Sequence, residues 1–356
     1  MSDYRSLFLE QVALLDLRAP VEFSRGAFPH AHNLPLMTDA ERAAVGTAYK
    51  QQGQAAAVRL GHELVGGAIR EQRIQAWLQF AKAHPNAVLY CFRGGMRSQI
   101  VQQWLAEAGV VMPRVVGGYK ALRSYLLTQL DRIADTLSWY VLAGRTGSGK
   151  TDLLTAQSRH LDLEGHARHR GSAFGRLPQE QPTPINFDNA LAISLLQLQA
   201  QSHAPVLIED ESHLVGRLRV PPALFARMQQ APIVELRLPL EQRVEQVLQD
   251  YVVGLRHQYV QALGTVGVQA HADYLKAAMS RIRRRLGGLR YTQLAGRLEQ
   301  ALREGQDDAH RDWIAPLLQE YYDPMYDHHM RTRRHRVLFQ GDAQQVQGWL
   351  STQDWA

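Results

Sequence analysis

Two short stretches of this 356-residue chain combine residue types and spacings that can do chemistry. The first is Gly144-Arg145-Thr146-Gly147-Ser148-Gly149-Lys150-Thr151. It fits G-x-x-x-x-G-K-[ST] at every fixed position. An apolar run, Trp139-Tyr140-Val141-Leu142-Ala143, precedes it as that motif requires. Glycines let backbone N–H groups close on a phosphate chain, Lys150 adds a point charge, and Thr151 offers a hydroxyl of the kind that sits on Mg²⁺. The pattern specifies a phosphorylated ligand and does not specify hydrolysis.

The second stretch is Cys91-Phe92-Arg93-Gly94-Gly95-Met96-Arg97-Ser98, which contains the chain's one cysteine. Gly94 and Gly95 tolerate positive φ, so backbone N–H groups can wrap the sulfur. A helix beginning near Ser98 aims its positive end at the same point, and Arg93 and Arg97 add cations. All of these favour the nucleophilic thiolate. Cys91 and Arg97 also fit the C-x5-R loop of cysteine-dependent phosphatases. That loop normally has a histidine before the cysteine, where this chain has Tyr90, and it needs an acid to protonate the leaving group.

A third feature is Val206-Leu207-Ile208-Glu209-Asp210-Glu211, a buried-strand pattern ending in three acids that would hold a metal or a water. Asp210 is the preferred member. Two arginine runs near the C-terminus, Arg281, Arg283, Arg284, Arg285, Arg290 and Arg331, Arg333, Arg334, Arg336, are candidates for phosphate contacts, weighed against solvated helix faces. Tyr321, Tyr322 and Tyr326 just before the second run are the aromatics that would stack on unpaired bases.

These residues need elements to hold them. Apolar runs at Val12–Leu15, Ala87–Tyr90 and Arg114–Val116 alternate with helical spacing at Gln99–Ala108, which implies a parallel sheet. Apolar residues from Leu122 to Leu137 predict a connecting helix. Strands at 139–143, 206–208 and 233–236 then alternate with helical patterns. The fold class expected is α/β: an N-terminal parallel-sheet domain over 1–125, a connecting helix over 126–137, and a P-loop α/β domain over 138–356 with a basic helical C-terminal part.

The length favours two domains. Lys+Arg exceeds Asp+Glu by 40 to 34, a net of +6, mild for such a length. One cysteine excludes an intramolecular disulfide and fits a reducing, cytoplasmic setting. No window approaches ~18 uninterrupted apolar residues, and no basic segment with an apolar run opens the chain, so neither a membrane association nor a secretory signal is expected.

Leu14-Leu15-Asp16-Leu17-Arg18-Ala19-Pro20-Val21-Glu22-Phe23, the stretch Gly26-Ala27-Phe28-Pro29-His30-Ala31-His32-Asn33-Leu34-Pro35-Leu36 and Arg114-Val115-Val116-Gly117-Gly118 resemble the segments that frame the active loop of a rhodanese domain. The resemblance covers roughly residues 5–125 and implies a Cys91 persulfide or perselenide. Arg168-His169-Arg170-Gly171-Ser172-Ala173-Phe174-Gly175 and Gln181-Pro182-Thr183-Pro184-Ile185-Asn186-Phe187-Asp188-Asn189-Ala190-Leu191, with the order of the two modules, resemble the tRNA 2-selenouridine synthase family. Pro184 stands where a polar residue is expected in relatives.

That resemblance implies a tRNA-modifying transferase acting on wobble 2-thiouridine. Geranyl diphosphate first alkylates the sulfur, and selenophosphate then supplies selenium. It implies no tightly bound cofactor beyond Mg²⁺, and tRNA and a selenophosphate-producing enzyme as partners. The P-loop would hold the prenyl diphosphate, Cys91 would serve the selenium step, and the arginine runs would hold tRNA. The competing readings are an ATP-dependent tRNA sulfurtransferase, an RNA-binding adaptor without catalysis, and a cysteine phosphatase with a nucleotide switch.

Overall fold

A computed structural model describes residues 3–202 and 204–353. The chain divides into two compact units. One comprises Met1–Ile133 with Thr183–Ala200, and the other Ala134–Pro182 with Gln201–Ala356.

The first unit is built on three short parallel strands, β1 (Leu14–Asp16), β2 (Ala31–Asn33) and β3 (Val88–Tyr90), in the order β2-β1-β3. The run predicted at Arg114–Val116 contributes only an isolated bridge between Leu89 and Arg114. Gly117 and Gly118, both at positive φ, turn the chain away at once. Two helices that the sequence reading left undescribed, Asp39–Leu64 and Gly67–Ala83, follow β2. The first is kinked at Gly53, whose φ is 85°. Leu15, Leu89, Trp77, Val101 and Leu105 form the core, and helix Met96–Glu107 follows the Cys91 loop.

The second unit carries a five-stranded, wholly parallel sheet. Its strands are β4 (Trp139–Gly144), β5 (His160–Leu161), β6 (Val206–Glu209), β9 (Ile233–Leu236) and β10 (Val337–Gly341). The order is β10-β9-β4-β6-β5, and a hairpin of β7 (Leu214–Val215) and β8 (Leu218–Arg219) stands apart. β6 and β9 are buried at every residue, so their sequences read as continuous apolar runs rather than alternation. β4 is central: chain order reverses on either side of it, and ligands of such sheets bind at the carboxyl end of that switch point. The Gly144–Thr151 motif runs from the last residue of β4 through the loop 145–149 into the helix Lys150–Thr155. The C-terminal helices pack around Phe174, Leu248, Trp313, Ile314 and Leu317. They include two π-helical stretches, Leu248–Gly254 and Leu318–Tyr322.

The division falls differently from the expected boundaries in two places. The residues expected as a separate connector form the end of one continuous helix, Gly118–Thr136, most of which lies in the first unit. Helix Pro184–Gln201, expected in the P-loop domain, groups with the first unit. Polar bonds tie it there. Ala27 N donates to Asn186 Oδ1 at 2.7 Å, and Asn189 Nδ2 donates to Ala27 O at 2.7 Å. Arg123 reaches Asn189 Oδ1 and Asp188 Oδ2, each at 2.7 Å. Among the described residues no helix is long and apolar enough to cross a membrane.

Candidate functional site

Cys91 ends β3 and is 3% exposed. Its loop is shaped by glycine contacts. At Gly94, φ +64°, a Cβ would lie 2.7 Å from Val115 O and 2.9 Å from the amides of Gly117 and Gly118. At Gly118, φ +59°, a Cβ would run into Cys91 O and Gly94 N. The loop is stitched to that turn by Tyr119 N donating to Cys91 O at 2.9 Å and Lys120 N to Phe92 O at 3.0 Å. Arg114 donates to Gly94 O. Ser98, fully buried, places its Oγ 3.3 Å from Cys91 Sγ and 2.8 Å from Gly95 O.

Beneath the loop, Asp16 and Arg18 form a buried ion pair at 2.6 Å. Arg18 also donates to Gly26 O at 2.8 Å, and Tyr90 donates its hydroxyl to Asp16 Oδ2 at 2.8 Å. Burial, then the charge of Asp16, pushes the Tyr90 phenol well up, so it stays a donor. Asp16, Arg18 and Tyr90 therefore hold β1 and β3 in register.

Cys91 opens on a cleft of about 930 Å³, within the ordinary size range of ligand sites. The helix Asp39–Leu64 lines it too, contributing Arg42, Tyr49, Lys50, Val58 and His62. Arg93 and Arg97 line the same cleft. Arg93 is exposed. Arg97 is held by Glu22, 2.7 Å away, so its charge is shared with a carboxylate rather than given wholly to the sulfur. Burial raises the Glu22 carboxyl, but Arg97 outweighs it and the net direction is down.

The P-loop departs from helical geometry at Gly147 (φ +79°) and Gly149 (φ +75°). A Cβ at Gly147 would lie 2.6 Å from Arg243 O and 2.8 Å from Val247. Lys150 Nζ folds back to Gly144 O at 2.8 Å. Arg243, 2% exposed, donates to Thr146 O at 3.0 Å and is fixed by Asp323 at 2.6 Å. Arg145 pairs with Asp327 at 2.8 Å. Ser148 Oγ is buried without a hydrogen-bond partner among the described residues.

The three acids after β6 part company. Asp210, the preferred one, is taken by Arg333 at 2.7 Å and by His329 at 3.3 Å. Burial works to raise its carboxyl, but His329 and Arg333 hold it below the usual range. It is committed to structure rather than to a ligand. Glu209 and Glu211 instead meet Glu164, which the sequence reading missed because it lies far back in the chain on the short helix Leu163–Ala167. Glu164 N donates to Glu209 Oε1 at 2.6 Å, and Thr151 Oγ1 lies 3.5 Å from Glu164 Oε2. Burial and then Glu164 raise Glu209 well up and bring Glu211 to about 8, with Lys150 opposing at Glu211. Burial also raises Glu164, against Gly171 N–H and Lys150. Mg²⁺ on a phosphate chain asks for only one or two protein oxygens. Thr151 Oγ1 and Glu164 Oε2 offer that number, although no group of three His, Cys, Asp or Glu among the described residues is arranged as a metal cage.

The arginine runs also separate. Arg283, Arg284 and Arg285 are exposed on the short helix Arg283–Leu286, with Arg283 over the Tyr291 ring. In the second run Arg333 is buried against Asp210, and Arg334 pairs with the buried Glu235 at 3.2 Å. Arg336 reaches the carbonyls of Met228 and Ala231 at the end of a helix. Arg331 alone of those named as tRNA contacts there is exposed without a carboxylate among the described residues, bonded to His328 at 3.1 Å. The tyrosines are likewise internal: Tyr321 is 6% exposed and Tyr326 donates to Glu235 at 2.9 Å.

The fold and these loops define a two-unit α/β protein with a P-loop and a cysteine-centred cleft. Residues 137–355 match the family described as tRNA 2-selenouridine synthase AAA domain. Curated relatives described as tRNA 2-selenouridine synthase align over nearly the whole chain. The Cupriavidus necator protein is 52% identical, covering 98% of this chain and 96% of the relative. The Hahella chejuensis protein is 52% identical over 98% and 93%, and that of Bordetella petrii 50% over 98% and 95%. The chain belongs to the tRNA 2-selenouridine synthase family.

Proposed function

We propose that the protein converts wobble 2-thiouridine in tRNA to 2-selenouridine in two steps. The thiouridine sulfur first attacks geranyl diphosphate, and selenium from selenophosphate then displaces the S-geranyl group. The observation that carries this reading is the presence, in one chain with full-length relatives of that name, of a P-loop and a separate cleft opening on Cys91. The two sites match the two substrates: a diphosphate and a selenium donor.

In the first step the P-loop amides and Lys150 bind the diphosphate as it departs with negative charge. Mg²⁺, held by Thr151 and Glu164, would supply further charge neutralisation. Arg243 keeps the loop in shape by holding Thr146 O and filling the space beside Gly147. S-alkylation turns a thiocarbonyl sulfur into a thiolate leaving group. In the second step the rhodanese-like unit acts through Cys91. Ser98 and the Gly94–Gly118 contact orient the loop, and Arg93 and Arg97, on the same loop, line the cleft that would take the anionic donor.

Mass spectrometry of wobble nucleosides from cells with and without this protein tests the reading. Loss of 2-selenouridine with retention of 2-thiouridine is expected. S-geranyl-2-thiouridine should build up when selenophosphate is withheld. Selenouridine formation that requires ATP and ignores the prenyl diphosphate would overturn it.

A further inference from the structure

We infer that Cys91 is a phosphoryl acceptor: its thiolate attacks the phosphorus of selenophosphate and sets the selenium free as selenide. The inference rests on the two-step reading above and concerns how the second step uses the sulfur.

Electron bookkeeping gives the first argument. Selenium is formally −II in selenophosphate and −II in 2-selenouridine, so the transfer is redox-neutral. A perselenide on Cys91 holds selenium in a higher state. Forming it from selenophosphate needs an oxidant, and handing selenide on from it needs a reductant. The chain has one cysteine and so no second thiol to resolve a sulfur–selenium bond. Attack at phosphorus needs neither. The S–P bond forms and the P–Se bond breaks, the electron pair leaving on selenium, which takes a proton as HSe⁻. HSe⁻ adds to C2 of the S-geranylated base, and the C2–S bond breaks. The thiolate departs and takes the proton. Water then hydrolyses the phosphocysteine to orthophosphate and restores the thiolate.

The loop gives the second argument. Cys91 and Arg97 stand at C-x5-R spacing and line one cleft. Glu22 holds the Arg97 guanidinium at 2.7 Å in a fork that fixes its plane, as binding a tetrahedral oxyanion requires. Ser98 Oγ lies between Sγ (3.3 Å) and Gly95 O (2.8 Å). Its one proton can turn from the carbonyl to the thiolate, stabilising the sulfur as a leaving group when phosphocysteine is hydrolysed. Lys50 also lines the cleft, as does Arg42, whose Nε lies 3.4 Å from the same Glu22 carboxylate that holds Arg97. The departure from the phosphatase pattern also has a reason. An alkoxide leaving group needs an acid to protonate it, whereas selenide is a far weaker base and departs unaided. The tyrosine that stands where such loops carry a histidine before the cysteine is then no defect.

The test uses the full-length protein and tRNA already S-geranylated, which bypasses the P-loop step. Wild-type protein, selenophosphate and this tRNA are mixed and quenched, and the Cys91 peptide is read by ³¹P NMR and by its isotope envelope. Cys91→Ala is assayed in parallel with selenophosphate and with hydrogen selenide, after subtracting the protein-free rate and checking that its melt matches wild type. With selenophosphate the variant should lose at least about 100-fold in rate. With hydrogen selenide it should approach the wild-type rate, because the P–Se bond it cannot break is gone. A selenium isotope envelope on Cys91, or a folded variant that selenide does not rescue while wild type uses selenide, overturns the inference. Wild-type protein that makes no selenouridine from S-geranylated tRNA and selenophosphate overturns the two-step reading itself.

Discussion

Arg333 and Asp210 form a buried ion pair, Nη1 to Oδ1 2.7 Å, with side chains 8% and 6% exposed. The pair joins the segment before β10 to the end of β6. It removes one residue from the set expected to touch tRNA and another from the set expected to hold a metal. Breaking a buried pair strands a charge, so Arg333→Ala should cost ~3–5 kcal/mol of unfolding free energy. Urea denaturation measures this. Replacing both partners with apolar residues of similar volume should recover much of the loss.

The exposed run behaves differently. Arg284 and Arg285 have no acidic partner among the described residues. Neutralising both should leave the melt unchanged, weaken tRNA binding and flatten the dependence of log K on log salt by ~0.9 for each duplex phosphate no longer neutralised. An unchanged affinity would remove this helix from the tRNA surface.

On the proposed two-step reading, Lys150→Ala removes the charge that would face the diphosphate. Loss of a charge-assisted hydrogen bond worth ~1.5–3 kcal/mol should lower geranyl diphosphate affinity ~10–150-fold, read by titration calorimetry. Geranylation should fall with it, while conversion of pre-geranylated tRNA should persist.

Gly118→Ala would place a methyl against Cys91 O and Gly94 N at a φ of +59°. The left-handed conformation alone costs a non-glycine residue ~1–2 kcal/mol, and the loop must also shift. Selenation should drop while S-geranylated tRNA accumulates. Nucleoside analysis of the reaction distinguishes this from global unfolding, which would abolish both.

Glu164, Glu209 and Glu211 all titrate above the ordinary carboxyl value, Glu211 at about 8. A carboxyl raised in the folded state binds its proton more tightly there than in the unfolded chain. Its contribution is therefore present below about 4.5 and is lost as pH rises through 8. From pH ~7.5 to ~8.5 the histidines that burial lowers, His166, His169, His271 and His310, are almost wholly neutral in the folded and the unfolded chain alike and so change little charge on unfolding. Stability should fall across that window, and Glu211→Gln should flatten the fall, as followed by the urea midpoint. A midpoint that rises with pH there would contradict the placement of these acids.

What the sequence disclosed, and what it hid, follows from how each signal is made. β4, β6 and β9 were legible because strands buried on both faces are continuous apolar runs. β10 was not, since its residues alternate between half-buried and exposed. The Cys91 and Gly144–Thr151 loops were legible because glycine and a reactive side chain at fixed spacing are local facts. Glu164 was hidden because its meeting with Glu209 and Glu211 is made by tertiary packing across 45 residues. Arg333 looked like its neighbours for the same reason: a run of arginines carries no sign of which one has a carboxylate waiting 123 residues upstream.

Helix Pro184–Gln201 has a consequence for synthesis on the ribosome. The first unit lacks the helix that holds Ala27 and Arg123 until residues 183–200 have been made. The 67 residues from 134 to 200 take roughly 3–13 s at ~5–20 residues per second. Throughout that interval the nascent N-terminal segment leaves Ala27 O and the Arg123 guanidinium to water, while β4 and the P-loop emerge behind it. A gene cut at residue 133 would reproduce that interval permanently. The shortest autonomous version of the Cys91 unit is therefore a circular permutant or a fusion that returns the helix, rather than a simple N-terminal truncation product.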